Sequence, residues 1–100
     1  MEINKQANGS KLNVALSGRL DTTTAPEFEK ELKGSLDGVT ELTLDFSGLE
    51  YISSAGLRVL LALQQKMMTR DGMKLVGVND DVSDVFEVTG FDEILTYEKG

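Results

Sequence analysis

The sequence contains no cysteine and no histidine, and only one proline among its 100 residues. Without cysteine, the chain can form neither disulfides nor thiolate metal sites. Without histidine, it lacks the side chain most often used as a general base and as a transition-metal ligand. No apolar run approaches the roughly 18 residues of a membrane-spanning helix, and the N-terminus has no signal-peptide pattern. We therefore expect one cytoplasmic, globular domain over residues 1–100, with a modest core.

The chain carries little positive charge, and its formal net charge is −7. Such a surface would be repelled by nucleic-acid phosphates and by an anionic membrane, so neither is expected as a partner. The acidity is explained by solubility alone, or by a basic protein partner. Charge does not separate these two explanations.

Strand periodicity is clearest where Leu12, Val14 and Leu16 alternate with polar or small residues, and again around Leu44. Asn8-Gly9 predicts a hairpin turn before the first of these segments, with both residues at positive φ. A nearly continuous apolar run near the middle of the second half predicts a strand covered on both faces. The predicted strands are 2–5, 11–20, 41–46, 73–78 and 94–97.

Helical spacing of apolar residues predicts three helices. Thr24 and Glu27 have the spacing of a capping box at the start of the first helix. Ser54 is the expected N-cap of the second helix and Asp81 that of the third, which should end at Gly90. The helices are expected over about 25–36, 55–69 and 82–89.

The resulting order is β-β-α-β-α-β-α-β, an α/β fold with a mixed, mainly parallel sheet of four to five strands and three helices. Functional loops of a parallel sheet lie at the carboxyl ends of its strands. Two loops qualify, 21–24 and 47–54, so we expect Asp21 and the Ser53-Ser54 pair to share one edge of the molecule.

Ser53 and Ser54 stand directly before the second helix, and four interpretations are possible. They could be structural, as a turn residue and an N-cap. A nucleophilic serine is disfavoured, because there is no histidine, no G-x-S-x-G elbow and no nearby lysine. A permanent phosphate site is disfavoured because no phosphate-loop motif and no basic residue occur over 47–57. A modified serine remains, because a phosphate on Ser54 would place negative charge at a helix N-terminus without unfolding the domain.

Three segments give the chain a resemblance to the STAS domain family, in particular to bacterial anti-sigma factor antagonists. Residues 16–21 (LSGRLD) are similar to the family's L-x-G-x-L-D strand end. Residues 42–57 (LTLDFSGLEYISSAGL) are similar to its central D-x-S-x-x-x-x-[DS]-S-[SA]-G-L signature. Residues 82–91, with DVFEVTGF in their latter part, resemble its third helix and the glycine that follows.

The resemblance implies that Ser54 is a phosphoacceptor and that the protein is not an enzyme and needs no cofactor. It also implies that the unmodified protein binds an anti-sigma factor that is a serine kinase, that phosphorylation with ATP releases the kinase, and that a phosphatase resets the switch. Two positions depart from the family pattern: Ser53 replaces a frequent aspartate and Ala55 replaces a frequent serine. The alternative is a constitutive STAS subunit of a scaffold or transporter complex. The residues expected to contact the partner are Asp21, Thr22, Ser53, Ala55, Gly56 and Leu57, with Gly56 small either for the partner or for packing.

Overall fold

The computed structural model describes residues 1–100 and contains a five-stranded sheet with three α-helices. The predicted order of elements is confirmed, and a short 3₁₀ turn at Phe91–Glu93 precedes the last strand. The bounds are β1 Glu2–Asn8, β2 Lys11–Leu20, α1 Ala25–Lys33, β3 Glu41–Ile52, α2 Ser54–Met67, β4 Gly72–Val78, α3 Asp80–Thr89 and β5 Tyr97–Lys99.

The strands lie in the order β1-β2-β3-β4-β5, so spatial order follows chain order. β1 pairs antiparallel with β2, and each of the other pairs is parallel. The β1–β2 hairpin differs from the prediction by one residue, because Asn8 pairs with Lys11 and the turn is Gly9-Ser10. Within this turn only Gly9 has a positive φ, of 63°. The expected turn with Asn8 at positive φ is therefore wrong, and glycine takes the first turn position instead.

The core lies on one face of the sheet only. Leu42 pairs with Leu12 and Met73, and Leu44 pairs with Val14 and Leu75. The buried apolar residues of neighbouring strands therefore lie side by side on the face that packs against the helices. All buried apolar residues of the strands and helices belong to a single cluster of 25 residues. The prediction that β4 is covered on both faces is wrong. Its outward residues, such as Lys74, face the open side of the sheet, because three helices of this size cover one face of five strands.

β3 extends to Ile52, six residues beyond the predicted end at Phe46. The inward residues change from a spacing of two, up to Phe46, to a spacing of three, at Leu49 and Ile52. Register shifts against β2 account for this change, because each bulge inserts an unpaired residue into the longer strand. Residues 47–52, predicted as a loop, are therefore strand, since the periodicity that identifies a strand is lost at a bulge.

Two other predicted boundaries are corrected. Asn79, not Asp81, caps α3: its Oδ1 accepts from the Val82 N–H at 2.8 Å. Gly90 ends this helix in the left-handed conformation, as predicted. The last strand begins at Tyr97 rather than at Ile94, because the N–H groups of residues 94 and 95 donate to the Phe91 carbonyl and close the 3₁₀ turn.

Candidate functional site

The ends of β2 and β3 bring the two predicted functional segments together. Leu20 pairs with Ile52, and the Ser53 N–H donates to the Leu20 carbonyl at 2.9 Å. Asp21 and Ser53 therefore leave neighbouring strands at the same level. We call the surface formed by Asp21, Thr22, Ser53, Ser54 and Ala55 the Ser54 edge.

Asp21 organises the turn between β2 and α1. Its Oδ1 accepts from the Thr23 hydroxyl at 2.7 Å and from the Thr23 and Thr24 N–H groups at 3.0 and 3.1 Å. Hydrogen bonds from the Thr23 hydroxyl and then from the Thr24 N–H hold the pKa of the Asp21 carboxyl below its ordinary value of 3.8. Asp21 thus stays ionised at the Ser54 edge.

Thr24 does not form the predicted capping box. Its hydroxyl accepts from the Asp21 N–H at 2.8 Å and donates to the Arg19 carbonyl at 2.8 Å, so it closes the turn from within. Its side chain caps no helical N–H, and Glu27 makes no reciprocal bond. The capping prediction is wrong because Asp21, three residues earlier, supplies the acceptor at this turn.

The two serines have different environments, and the N-cap is Ser53 rather than Ser54. Ser53 is extended, with φ −99° and ψ 176°, and its hydroxyl accepts from the Gly56 N–H at 3.4 Å. Ser54 is the first residue of α2, is exposed, and its hydroxyl makes no hydrogen bond within the chain. The second helix begins at Ser54, one residue earlier than predicted, and this moves the cap from Ser54 to Ser53. The hydroxyl at the helix N-terminus that is free to react or to bind is therefore that of Ser54.

The other predicted contact residues divide into surface and core. Thr22 is exposed and Ala55 is half-buried. Gly56 and Leu57 are buried, and a Cβ on Gly56 would lie 2.8 Å from Leu20 Cγ. This distance favours the packing explanation for Gly56, and it removes Gly56 and Leu57 from the surface that a rigid partner could touch.

A shallow groove of about 380 Å³ runs between the first turns of α1 and α2, beside Ser54. Thr22 and Ala55 lie on its walls, with Arg58 from α2 and Glu29 from α1. Glu29 Oε2 lies 3.8 Å from Lys33 Nζ. The groove is continuous with the Ser54 edge.

Three further residues at this end of the sheet were not predicted from the sequence. The Arg19 guanidinium lies 4.4 Å from the centre of the Tyr51 ring, and Arg19 Nε lies 3.8 Å from Asp21 Oδ2. Arg19 and Tyr51 pair across β2 and β3. The sequence alone does not predict this pairing, because a bulge shifts the register of the two strands. Arg58 was detectable, since it stands four residues after Ser54 on one helix.

Asp45, a further acidic residue of β3, lies away from the Ser54 edge. It pairs with Ala15 in the middle of the sheet and lines a depression on the open face.

Hydroxyls, arginines and carboxylates, among them Asp21 and Glu29, make up this end of the molecule. No group of three or more histidine, cysteine, aspartate or glutamate side chains is placed to hold a metal ion. None of the helices has both the length and the apolar character needed to cross a membrane.

Comparison with known proteins identifies the family of this chain. The sequence model described as "Mlab, STAS domain" matches residues 3–96. BtrV of Bordetella bronchiseptica, provisionally named an anti-sigma factor antagonist, is 37% identical over 82 residues, which cover 80% of this chain and 71% of BtrV. The anti-sigma-B factor antagonist of Staphylococcus aureus strain NCTC 8325 is 27% identical over 89 residues, which cover 87% of this chain and 82% of that protein. The chain belongs to the STAS domain family.

Solved structures share the fold. An anti-sigma factor antagonist from Mycobacterium paratuberculosis superposes with a TM-score of 0.88 at 24% identity, covering 99% of this chain and 86% of that one. The phosphorylated form of the Bacillus cell fate determinant SpoIIAA superposes with a TM-score of 0.74 at 16% identity, covering 98% and 92%. At these identities the likeness establishes the fold, a five-stranded sheet with three helices.

Proposed function

We propose that this protein is an anti-sigma factor antagonist whose Ser54 edge binds an anti-sigma factor serine kinase and releases it when Ser54 is phosphorylated. The observation that carries the proposal is the contrast between the serines: Ser53 is occupied as the N-cap, and Ser54 is exposed and unbonded. In the reaction, the Ser54 Oγ takes the γ-phosphoryl group of ATP, the hydroxyl proton is lost, and ADP leaves.

The charges at the Ser54 edge explain why such a modification would eject a partner. A phosphoserine adds about −1.5 to −2 charge at neutral pH. It would add to the negative charge of the ionised Asp21 on the surface that we propose docks the kinase. The helix N-terminus tolerates the added charge, so the domain stays folded. The interface with the kinase is disrupted.

The kinase reaction tests the site. The chain is incubated with its cognate anti-sigma factor kinase and ATP, and the phosphate is located by mass spectrometry. We expect phosphate on Ser54 in the parent chain and in Ser53→Ala, and none in Ser54→Ala. Phosphate on Ser53 alone, or no phosphate with a kinase that is active on another substrate, contradicts the proposal.

A second function, a constitutive STAS subunit of a scaffold or transporter complex, is favoured by one observation. The matching family carries the name Mlab rather than that of an antagonist. The affinities of Ser54→Ala and Ser54→Asp for the partner separate the two functions. A switch predicts that only Ser54→Asp binds weakly, whereas a constitutive subunit predicts nearly equal affinities.

A further inference from the structure

Arg58 is the one arginine of this chain without a partner. Arg19 stacks on Tyr51 and lies near Asp21, and Arg70 donates to two backbone carbonyls at 2.7 and 2.6 Å. Arg58 is exposed and takes part in no ion pair or hydrogen bond within the chain. In a protein with a net charge of −7, an exposed and unpaired guanidinium one helical turn from Ser54 is available to bind an anion.

The helix places Arg58 where it can reach Ser54. The two residues are four positions apart on α2, which puts them on one face about 6 Å apart along the axis. The Cα–Cβ bonds of an α-helix tilt toward its N-terminus, so the Arg58 side chain leaves the helix toward the turn that carries Ser54, and its guanidinium has the length to reach that residue. Glu29, across the groove, is closer to Lys33 and does not hold Arg58.

We propose that Arg58 binds the phosphate of phosphorylated Ser54 within the same helix, and so withdraws its positive charge from the surface that docks the kinase. This inference rests on the proposed function, because it concerns the regulation of the same serine. The guanidinium can donate two parallel hydrogen bonds to phosphate oxygens, a geometry that lysine lacks. Phosphorylation then changes the docking surface twice, by adding an anion and by neutralising a cation.

The charges around the pair favour this assignment. Glu29 is the one carboxylate that lines the groove, and Asp21 lies on the adjoining Ser54 edge. Both repel a phosphate, whereas Arg58 is the only cation that lines the groove. A dianionic phosphate attracts the guanidinium more strongly than a single carboxylate on a docked partner does. We therefore expect Arg58 to bind the phosphate in preference to a carboxylate of the partner.

The first experiment tests the interaction between Arg58 and phosphorylated Ser54 in the absence of the kinase. The full chain is produced with phosphoserine incorporated at position 54, and the second ionisation of the phosphate is followed by phosphorus NMR. We expect its pKa to be lower by about 0.3 in the parent phosphoprotein than in Arg58→Gln, as an i,i+4 ion pair predicts. Lys66→Gln is the matched control, because it removes the same charge from the exposed side of the same helix, about 18 Å from Ser54. Equal pKa values in the parent and in Arg58→Gln overturn the proposal.

The second experiment measures the consequence for binding. The loss of kinase affinity caused by phosphoserine at position 54 is compared in the parent and in the Arg58→Gln background. We expect the loss to be about threefold smaller without Arg58, and unchanged by Lys66→Gln. Equal losses in both backgrounds refute the role of Arg58 while leaving the switch intact. No loss in either background refutes the proposed function instead, and the phosphorus titration still tests the pair.

Discussion

Replacing Gly56 with alanine tests whether this glycine is required for packing. Gly56 is buried in the first turn of α2, against the ends of β2 and β3. A Cβ at this position would lie 2.8 Å from Leu20 Cγ and 2.9 Å from Ile52 Cγ1. Both neighbours are almost fully buried, so neither can move without displacing other core residues.

Two opposing effects determine how much Gly56→Ala changes the free energy of unfolding. Forcing one extra methyl group into a well-packed core costs about 1–3 kcal/mol. Alanine in place of glycine in a helix returns up to about 1 kcal/mol, and less in the first turn. We expect Gly56→Ala to be less stable by about 1.5 kcal/mol, which lowers the melting temperature of a domain of this size by about 6–12 °C.

Thermal and urea unfolding measure this loss, and Gly34→Ala is the matched control. Gly34 is exposed at the end of α1 with a φ of −73°, and an added Cβ would lie no closer than 3.5 Å to any atom. That substitution should be neutral or stabilising by up to about 1 kcal/mol.

Unchanged or increased stability of Gly56→Ala would show that Gly56 is not required for packing. If it came with weaker kinase binding, Gly56 would be small for the partner, the explanation that the packing distances disfavour. A stability loss with unchanged affinity of the folded fraction is what the structure predicts.

Two further predictions concern the ends of the strands. Because the pKa of Asp21 is lowered in the folded state, its contribution to stability is present above the ordinary value of 3.8 and is lost as pH falls through the folded pKa. Urea unfolding at about pH 6 and about pH 3 should therefore show a smaller acid-induced loss in Asp21→Asn than in the parent; parallel losses would contradict this. Asn79 both caps α3, through the Val82 N–H, and donates to the Leu49 carbonyl at 2.8 Å. Asn79→Ala should cost about 1–2 kcal/mol, and Asn79→Asp, which keeps only the cap, should lose less; equal losses in the two variants would show that the bond to Leu49 carries the effect alone.

The sequence predicted the fold class because local patterns agree with the final structure over most of the chain. Helical spacing identified Phe28 and Leu32 of α1, and both are fully buried. Alternation identified Leu42 and Leu44 of β3, which are also fully buried. These patterns need only the period of each element, and that period is a local property.

The candidate site was predicted in outline for a related reason. Parallel strands joined by helices place their carboxyl ends at one edge, so Asp21 and Ser54 could be brought together from connectivity alone. The resemblance of residues 42–57 to the STAS signature then distinguished Ser54 from an ordinary helix cap.

Tertiary structure alone decided which serine is free. Bulges against β2 extend β3 to Ile52, so the chain enters α2 one residue earlier than its pattern suggests and Ser53 becomes the cap. A bulge depends on the register of two strands far apart in sequence, and no local period records it. The same holds for the open face of the sheet and for the tight contact at Gly56, because both follow from how the helices pack on the strands.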